Sequence, residues 1–289
     1  MTSEKPESCW LCERPLGRRV QWHHTVPKAK KGRETVPVHP ICHKTIHLHF
    51  TNAQLVRIDG ERVHVGGMTR QRAVLESGEI AARAPVITEA LGFVGHVQTR
   101  NRGTVGGSLA HMDPAAELMG IAALFDAEIT LASKRGERRV PIAEYPLGYM
   151  TPNIEPDEIL TSVSFDLWPV GHGYDFREFA QRHGDFAVVG VGSQLTLDQG
   201  GRIDRAAVVL IGVDDGPVRL NDVEKSLVGE APSDALFRAA GAMAAKHDMM
   251  GDALITADYR SRVADAFVRR SLTRAAERAQ KTARETADA

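Results

Sequence analysis

The 289-residue chain has no apolar run near the roughly 18 residues that a membrane span requires. Its opening, MTSEKPES, is acidic and proline-containing, unlike a secretory signal. Three cysteines cannot form a fully paired disulfide framework, and their spacing suits no iron–sulfur cluster. Charge of either sign is not in excess: 36 basic and 37 acidic side chains leave a net −1, so overall charge favours neither nucleic acid nor membrane as partner. There is no internal repeat. These absences read as a cytoplasmic protein with no membrane partner. Hydrophobic residues at 43% and charged residues at 25% exclude disordered and fibrous classes, and the length suits two or three modest domains.

The averages conceal an asymmetry. All three cysteines and six of the twelve histidines fall within residues 1–55, where nine Lys/Arg face four Asp/Glu. The remaining residues carry 27 basic and 33 acidic side chains (36 − 9 and 37 − 4), so the two segments have opposite net charge. Two modules of different origin are expected, with the boundary near Leu55.

In the first, Cys9-Trp-Leu-Cys12 and His39-Pro-Ile-Cys42 are two pairs of like spacing. Together they can supply the four tetrahedral ligands of a structural zinc, a sensible staple for a segment with little core. A buried-cysteine, loop-histidine reading competes with it. His43 and His47 share one helical face at i, i+4, whereas His23 and His24, on a strand, would face opposite ways.

The string CWLC…QWHHTVPKAKKG…VHPICHKTIH resembles the HNH endonuclease family, a ββα-metal nuclease. The resemblance implies that His23, His43 and His47 ligate a divalent metal ion and that His24 is the general base. It also implies that Lys28, Lys30, Lys31 and Arg33 lie near a DNA backbone. Asn52 lies beyond the last of these histidines and receives no role.

The second module opens with strand, Asp59-Gly60 turn, strand over residues 56–67. Thr69 is placed to cap a helix that Gly78 ends, and a second helix spans Pro85 to Phe93. Next comes Arg100-Asn-Arg-Gly-Thr-Val-Gly-Gly-Ser-Leu-Ala-His-Met-Asp-Pro114. Gly103, Gly106 and Gly107 carry no Cβ, so successive N–H groups could form an anion nest, with the Thr104 and Ser108 hydroxyls beside it. Asp113-Pro114 has the form of a helix start, and a Gly-rich turn feeding a helix N-terminus suits a pyrophosphate. A tight corner is the competing reading. Two hairpins follow, over EITLAS…RRVPIAEY and QLTLDQGGRIDRAAVVLIGV. Two amphipathic helices come after them, over SDALFRAAGAMAAKH and DYRSRVADAFVRRSLTRAAERAQ.

RNRGTVGGSLAHMDPAAEL resembles the second flavin motif of the FAD-binding medium subunit of molybdenum hydroxylases, the group of the carbon monoxide and xanthine dehydrogenase flavoproteins. VGGMTRQRAVL, DEILTSVSF and FREFAQRHGDFAVVGVGSQL extend the resemblance to about Arg274. It implies that Thr104, Val105, Gly106, Gly107 and Ser108 line the FAD pyrophosphate. Glu117 would bind the adenosine ribose and Leu160 would pack near the flavin-adenine portion. Arg177 stands near a flavin-contacting lysine position, and Asp185 is either a site residue or a turn residue. Family members begin with a first FAD lobe bearing an A-G-G-x-x-L-L-P type string. No such string occurs here, and the HNH-like segment stands in its place.

The expected fold class is α+β: a small ββα-metal module (1–55), a partial PCMH-type FAD-binding α/β domain (56–170), an α+β C-terminal domain (171–280) and a tail (281–289). The expected function is electron transfer through FAD beside a molybdopterin-containing large subunit and an iron–sulfur small subunit. A metal-dependent nuclease acting on DNA, or a chimera with neither activity, are the alternatives.

Overall fold

The computed structural model describes residues 8–9, 14–17, 19–24, 35–41 and 56–287, and divides into two compact units, Met1–Gln54 and Leu55–Ala289. In the first unit, β1 (Gln21–His24) pairs antiparallel with β2 (Thr35–Val38). Cys9 is fully buried. Its N–H donates to the Arg14 carbonyl at 2.9 Å and its Sγ accepts from the His39 N–H at 3.5 Å. Cys12, Cys42, His43, His47, Lys28, Lys30, Lys31, Arg33 and Asn52 lie outside the described residues. Among the described residues, no group of three His, Cys, Asp or Glu could hold a metal ion.

The second unit is built on two large antiparallel sheets and one small hairpin. β3 (Val56–Asp59) and β4 (Arg62–Gly66) form the expected hairpin, with Gly60 at φ +62° making the tight turn. They join a five-stranded sheet of order β3-β4-β9-β5-β6, completed by β5 (Glu128–Ser133), β6 (Gly136–Pro141) and β9 (Ile159–Asp166). Between β4 and β5 run six helices: α1 (Gln71–Leu75), α2 (Gly78–Arg83), α3 (Pro85–Phe93), α4 (Val97–Arg102), α5 (Val105–His111) and α6 (Glu117–Leu124). Alternate strand residues, such as Val63 and Val65, meet Ile87, Leu91, Leu109 and Met119 in one apolar core. The small hairpin β7 (Pro146–Gly148) and β8 (Thr151–Pro152) lies between β6 and β9.

The C-terminal sheet has order β10-β11-β12-β13, from β10 (Gly173–Phe179), β11 (Val189–Leu197), β12 (Ile203–Ile211) and β13 (Val218–Arg219). One face meets α3 and α6, through Phe176, Val209 and Ile211. The other face is covered by α9 (Ala257–Ala287), which packs on α8 (Asp234–Ala244); α7 (Asn221–Leu227) borders β12. Both faces are apolar because each has a helix to cover it. Arg278 of α9 reaches across to Glu89 of α3 in a two-pronged pair at 3.0 Å for each bond. Glu89 also accepts the Phe176 N–H at 3.2 Å. One carboxylate thus joins helix, sheet and helix.

Local expectations fail at four helix ends. Arg70, not Thr69, precedes α1, and the Ser77 hydroxyl caps α2, so Gly78 starts a helix rather than ending one. Asp113-Pro114 is a turn, with Asp113 Oδ1 accepting the Ala115 N–H at 2.9 Å, and α6 starts three residues later at Glu117. The segment from 281, expected as a tail, is helical to Ala287, extending the helix beyond its last buried residue, Ala279.

Candidate cofactor site

The Gly-rich stretch is built by a crossing of two chain segments. Thr104 forms an isolated bridge with Arg70, and the segment Gly67–Thr69 takes hydrogen bonds from the start of α5. Gly106 N–H donates to Gly67 O at 2.7 Å and Val105 N–H donates to Thr69 O at 2.9 Å. The approach explains the glycine at 106. A Cβ there would sit 2.7 Å from both the Cα and the O of Gly67. Gly67 is confined in turn, since its own Cβ would stand 2.6 Å from the Leu160 carbonyl oxygen. Gly67, Gly106 and Leu160 therefore stack across three segments, and Leu160 meets the site through its backbone as well as its buried side chain.

The expected anion nest does not form. Val105 N–H and Gly106 N–H are committed as above, Gly107 N–H donates to Thr104 Oγ1 at 3.0 Å, and Ser108 N–H to Thr104 O at 3.1 Å. The helix begins directly after Thr104, which acts as its N-cap, so the donors are spent inside the protein. Val105 points into the core at 4% exposure. What faces outward is the Cβ-free Gly107 with the half-buried Thr104 and Ser108 on either side. Thr104 Oγ1 uses a lone pair for its cap bond and keeps its proton to donate. Among the described residues, Ser108 Oγ has no partner. Two hydroxyl donors beside an exposed glycine fit a phosphate, and they do so through side chains where backbone donors were expected.

Glu117 opens α6 and is 94% buried, its exposure being 6%. Burial pushes its carboxyl up to about 7; Asp113 adds to the rise, while its own backbone N–H and the Arg100 guanidinium oppose it. Arg100 is itself fixed, donating to the Val94 and Gly95 carbonyls at 2.7 and 3.1 Å. Among the described residues Glu117 forms no salt bridge, and such a buried carboxyl suits the hydroxyls of a ribose, which can donate to it without a countercharge.

Arg177 and Glu178 separate by strand alternation. Arg177 turns to the α9 side of β10 and donates to Asp175 at 2.6 Å. Glu178 turns to the opposite face, where burial and then the neighbouring Glu117 raise its carboxyl to about 8. Among the described residues, its buried Oε2 has no hydrogen-bond partner. The structure thus associates Glu178, one position along from Arg177, with Glu117. Asp185 is exposed in a turn after β10, its N–H donating to Arg182 O at 3.1 Å.

Comparison with known proteins agrees with this architecture. The family described as the FAD binding domain in molybdopterin dehydrogenase matches residues 44–168, and the CO dehydrogenase flavoprotein C-terminal domain matches residues 174–275. The chain is 35% identical over 228 residues to the 6-hydroxypseudooxynicotine dehydrogenase complex subunit alpha of Paenarthrobacter nicotinovorans, covering 78% of this chain and 77% of that one. It is 32% identical over 226 residues to the carbon monoxide dehydrogenase medium chain of Afipia carboxidovorans, covering 78% of each. The chain belongs to the family of FAD-binding medium subunits of molybdenum hydroxylases. A solved carbon monoxide dehydrogenase from Hydrogenophaga pseudoflava superposes on this medium-subunit fold with a TM-score of 0.74 at 28% identity, covering 77% of this chain and 78% of that one. The family match starts at residue 44, inside the segment that the sequence pattern assigned to the N-terminal module. The relatives are medium chains and complex subunits, and none of those named here is a nuclease. Among the described residues, no helix is long and apolar enough to cross a membrane.

Proposed function

We propose that this chain is the FAD-carrying, electron-transferring subunit of a cytoplasmic molybdenum hydroxylase. Its FAD pyrophosphate would lie against Thr104, Gly107 and Ser108, and its ribose against Glu117. The observation that carries the assignment is the stacked Gly67–Gly106–Leu160 contact, which fixes a capped helix so that a bare glycine and two hydroxyls face outward. Bound FAD supplies the redox chemistry; the protein binds and orients it. Thr104 and Ser108 donate to phosphate oxygens, and Glu117 accepts from ribose hydroxyls. Electrons would arrive from an iron–sulfur small subunit, itself reduced by a molybdopterin-containing large subunit.

Replacing Ser108 by Ala tests the site cleanly, because this hydroxyl makes no bond within the described protein. FAD affinity should fall about ten- to a hundredfold for one lost hydrogen bond to a charged group, with an unchanged melting temperature. Unchanged affinity would move the pyrophosphate elsewhere.

In the N-terminal unit, the contact of the His39 N–H with Cys9 Sγ favours a structural zinc role for the Cys9-x2-Cys12 and His39-x2-Cys42 pairs. Elemental analysis of the purified chain should then return about one zinc per chain; a metal-free, equally stable chain would exclude it.

A further inference from the structure

We propose that Tyr145 is a positioning residue for FAD, holding by its hydroxyl the far end of the helix whose near end faces the cofactor. The inference rests on the assignment of the FAD site to Thr104–Ser108. Helix α5 has only seven residues, so most of its carbonyls are terminal ones that the helix cannot satisfy by itself. Its last turn closes on Met112, a non-glycine residue at φ +52°, whose N–H takes the Ser108 carbonyl at 3.1 Å. The next carbonyl, that of Leu109, accepts from the Tyr145 hydroxyl at 3.0 Å, 36 residues away.

Tyr145 is fully buried, so no water can replace it as donor. Its own backbone is held on both sides: the N–H donates to Ile142 O at 3.2 Å, and the carbonyl accepts the Asn153 N–H at 2.7 Å. Asn153 is locked further, its side-chain amide donating to Glu144 O at 3.2 Å and its carbonyl accepting from Arg138 at 2.9 Å. The hydroxyl is therefore a rigid strut. With Gly67 and Thr69 gripping the N-terminal end of α5 and Tyr145 the C-terminal end, Thr104 and Ser108 are fixed relative to the sheet.

The test compares Tyr145→Phe, which keeps the ring and removes the donor, with Ile203→Val, a small loss from the separate C-terminal core. FAD affinity by flavin fluorescence and melting temperature are measured on the full chain. Tyr145→Phe should bind FAD about tenfold more weakly, while Ile203→Val, similarly destabilised, should bind like the wild type. Equal affinity in Tyr145→Phe and wild type overturns the inference. Wild type that binds no FAD would instead remove the site assignment on which it rests. Hydrogen exchange of the wild-type chain gives a second measurement, needed if Tyr145→Phe does not fold. Added FAD should slow exchange over residues 142–153 together with 104–111; slowing confined to 104–111 contradicts the strut.

Discussion

Gly106 is the position where backbone geometry and side-chain preference conflict most openly. In an exposed helix, alanine would be worth about 1 kcal/mol over glycine. Here the added methyl would stand 2.7 Å from the Gly67 backbone, which cannot rotate away as a side chain could. Gly106→Ala should therefore destabilise the chain by about 1–3 kcal/mol despite its better helix propensity, measured by urea unfolding. A stabilised variant would mean that the two segments cross less closely than a 2.7 Å Cβ contact requires. Glu117 and Glu178 both contribute to the pH dependence of stability. Both folded carboxyls sit above the ordinary value of 4.5, at about 7 and about 8. The folded chain thus keeps protons that the unfolded chain releases, so these two groups lower stability as pH rises from about 4.5 to about 8. Glu178→Gln removes part of that slope. It should raise stability on the order of 1–2 kcal/mol near pH 8, allowing for solvent screening, and leave it nearly unchanged near pH 4. Melting curves at the two pH values check the sign; equal shifts at both would show that burial does not control the carboxyl.

Periodic patterns made the regular elements legible in the sequence. The hairpins over β3–β4, β5–β6 and β11–β12, helix α3 and the two long C-terminal helices follow from alternation, turn residues and apolar stripes. The candidate site stands out in the sequence as a motif, but its bonding does not. Gly67 and Gly106 are far apart in sequence, and nothing local reveals that each exists to admit the other. Without that contact, Gly103–Ser108 looks like an open nest rather than a closed, capped helix. Asp113-Pro114 misled for a related reason: its carboxylate is spent on the Ala115 N–H, and the chain needs three more residues before α6 can lie against the end of β12, where Pro114 O accepts the Gly212 N–H at 2.9 Å. Glu178 could have been found from the sequence, because alternation along Gly173–Phe179 puts it with Phe176 and opposite Arg177. Tyr145 had no such signal.

The FAD-binding and C-terminal portions behave as one unit because charged and apolar contacts join them. Phe176 and Ile211 belong to the same core as Val63 and Leu109. The Glu89–Arg278 pair adds a polar tie at the edge of that core, with side chains 27% and 25% exposed. Glu89→Ala would strand both the Arg278 guanidinium and the Phe176 N–H. It should cost about 2–3 kcal/mol in a single, still cooperative unfolding transition. Two separated transitions would show that the halves fold independently. The proposed FAD site, with Thr104 and Glu117 from one half and Glu178 of the other beside Glu117, requires that unity.

The most direct measurement is the visible absorbance spectrum of the purified full chain, taken after mixing with FAD and passage through a gel-filtration column. Flavin bands that elute with the protein are the predicted result. Protein that emerges colourless, with all FAD in the small-molecule fractions, would contradict the assignment of this chain as the flavin-carrying subunit.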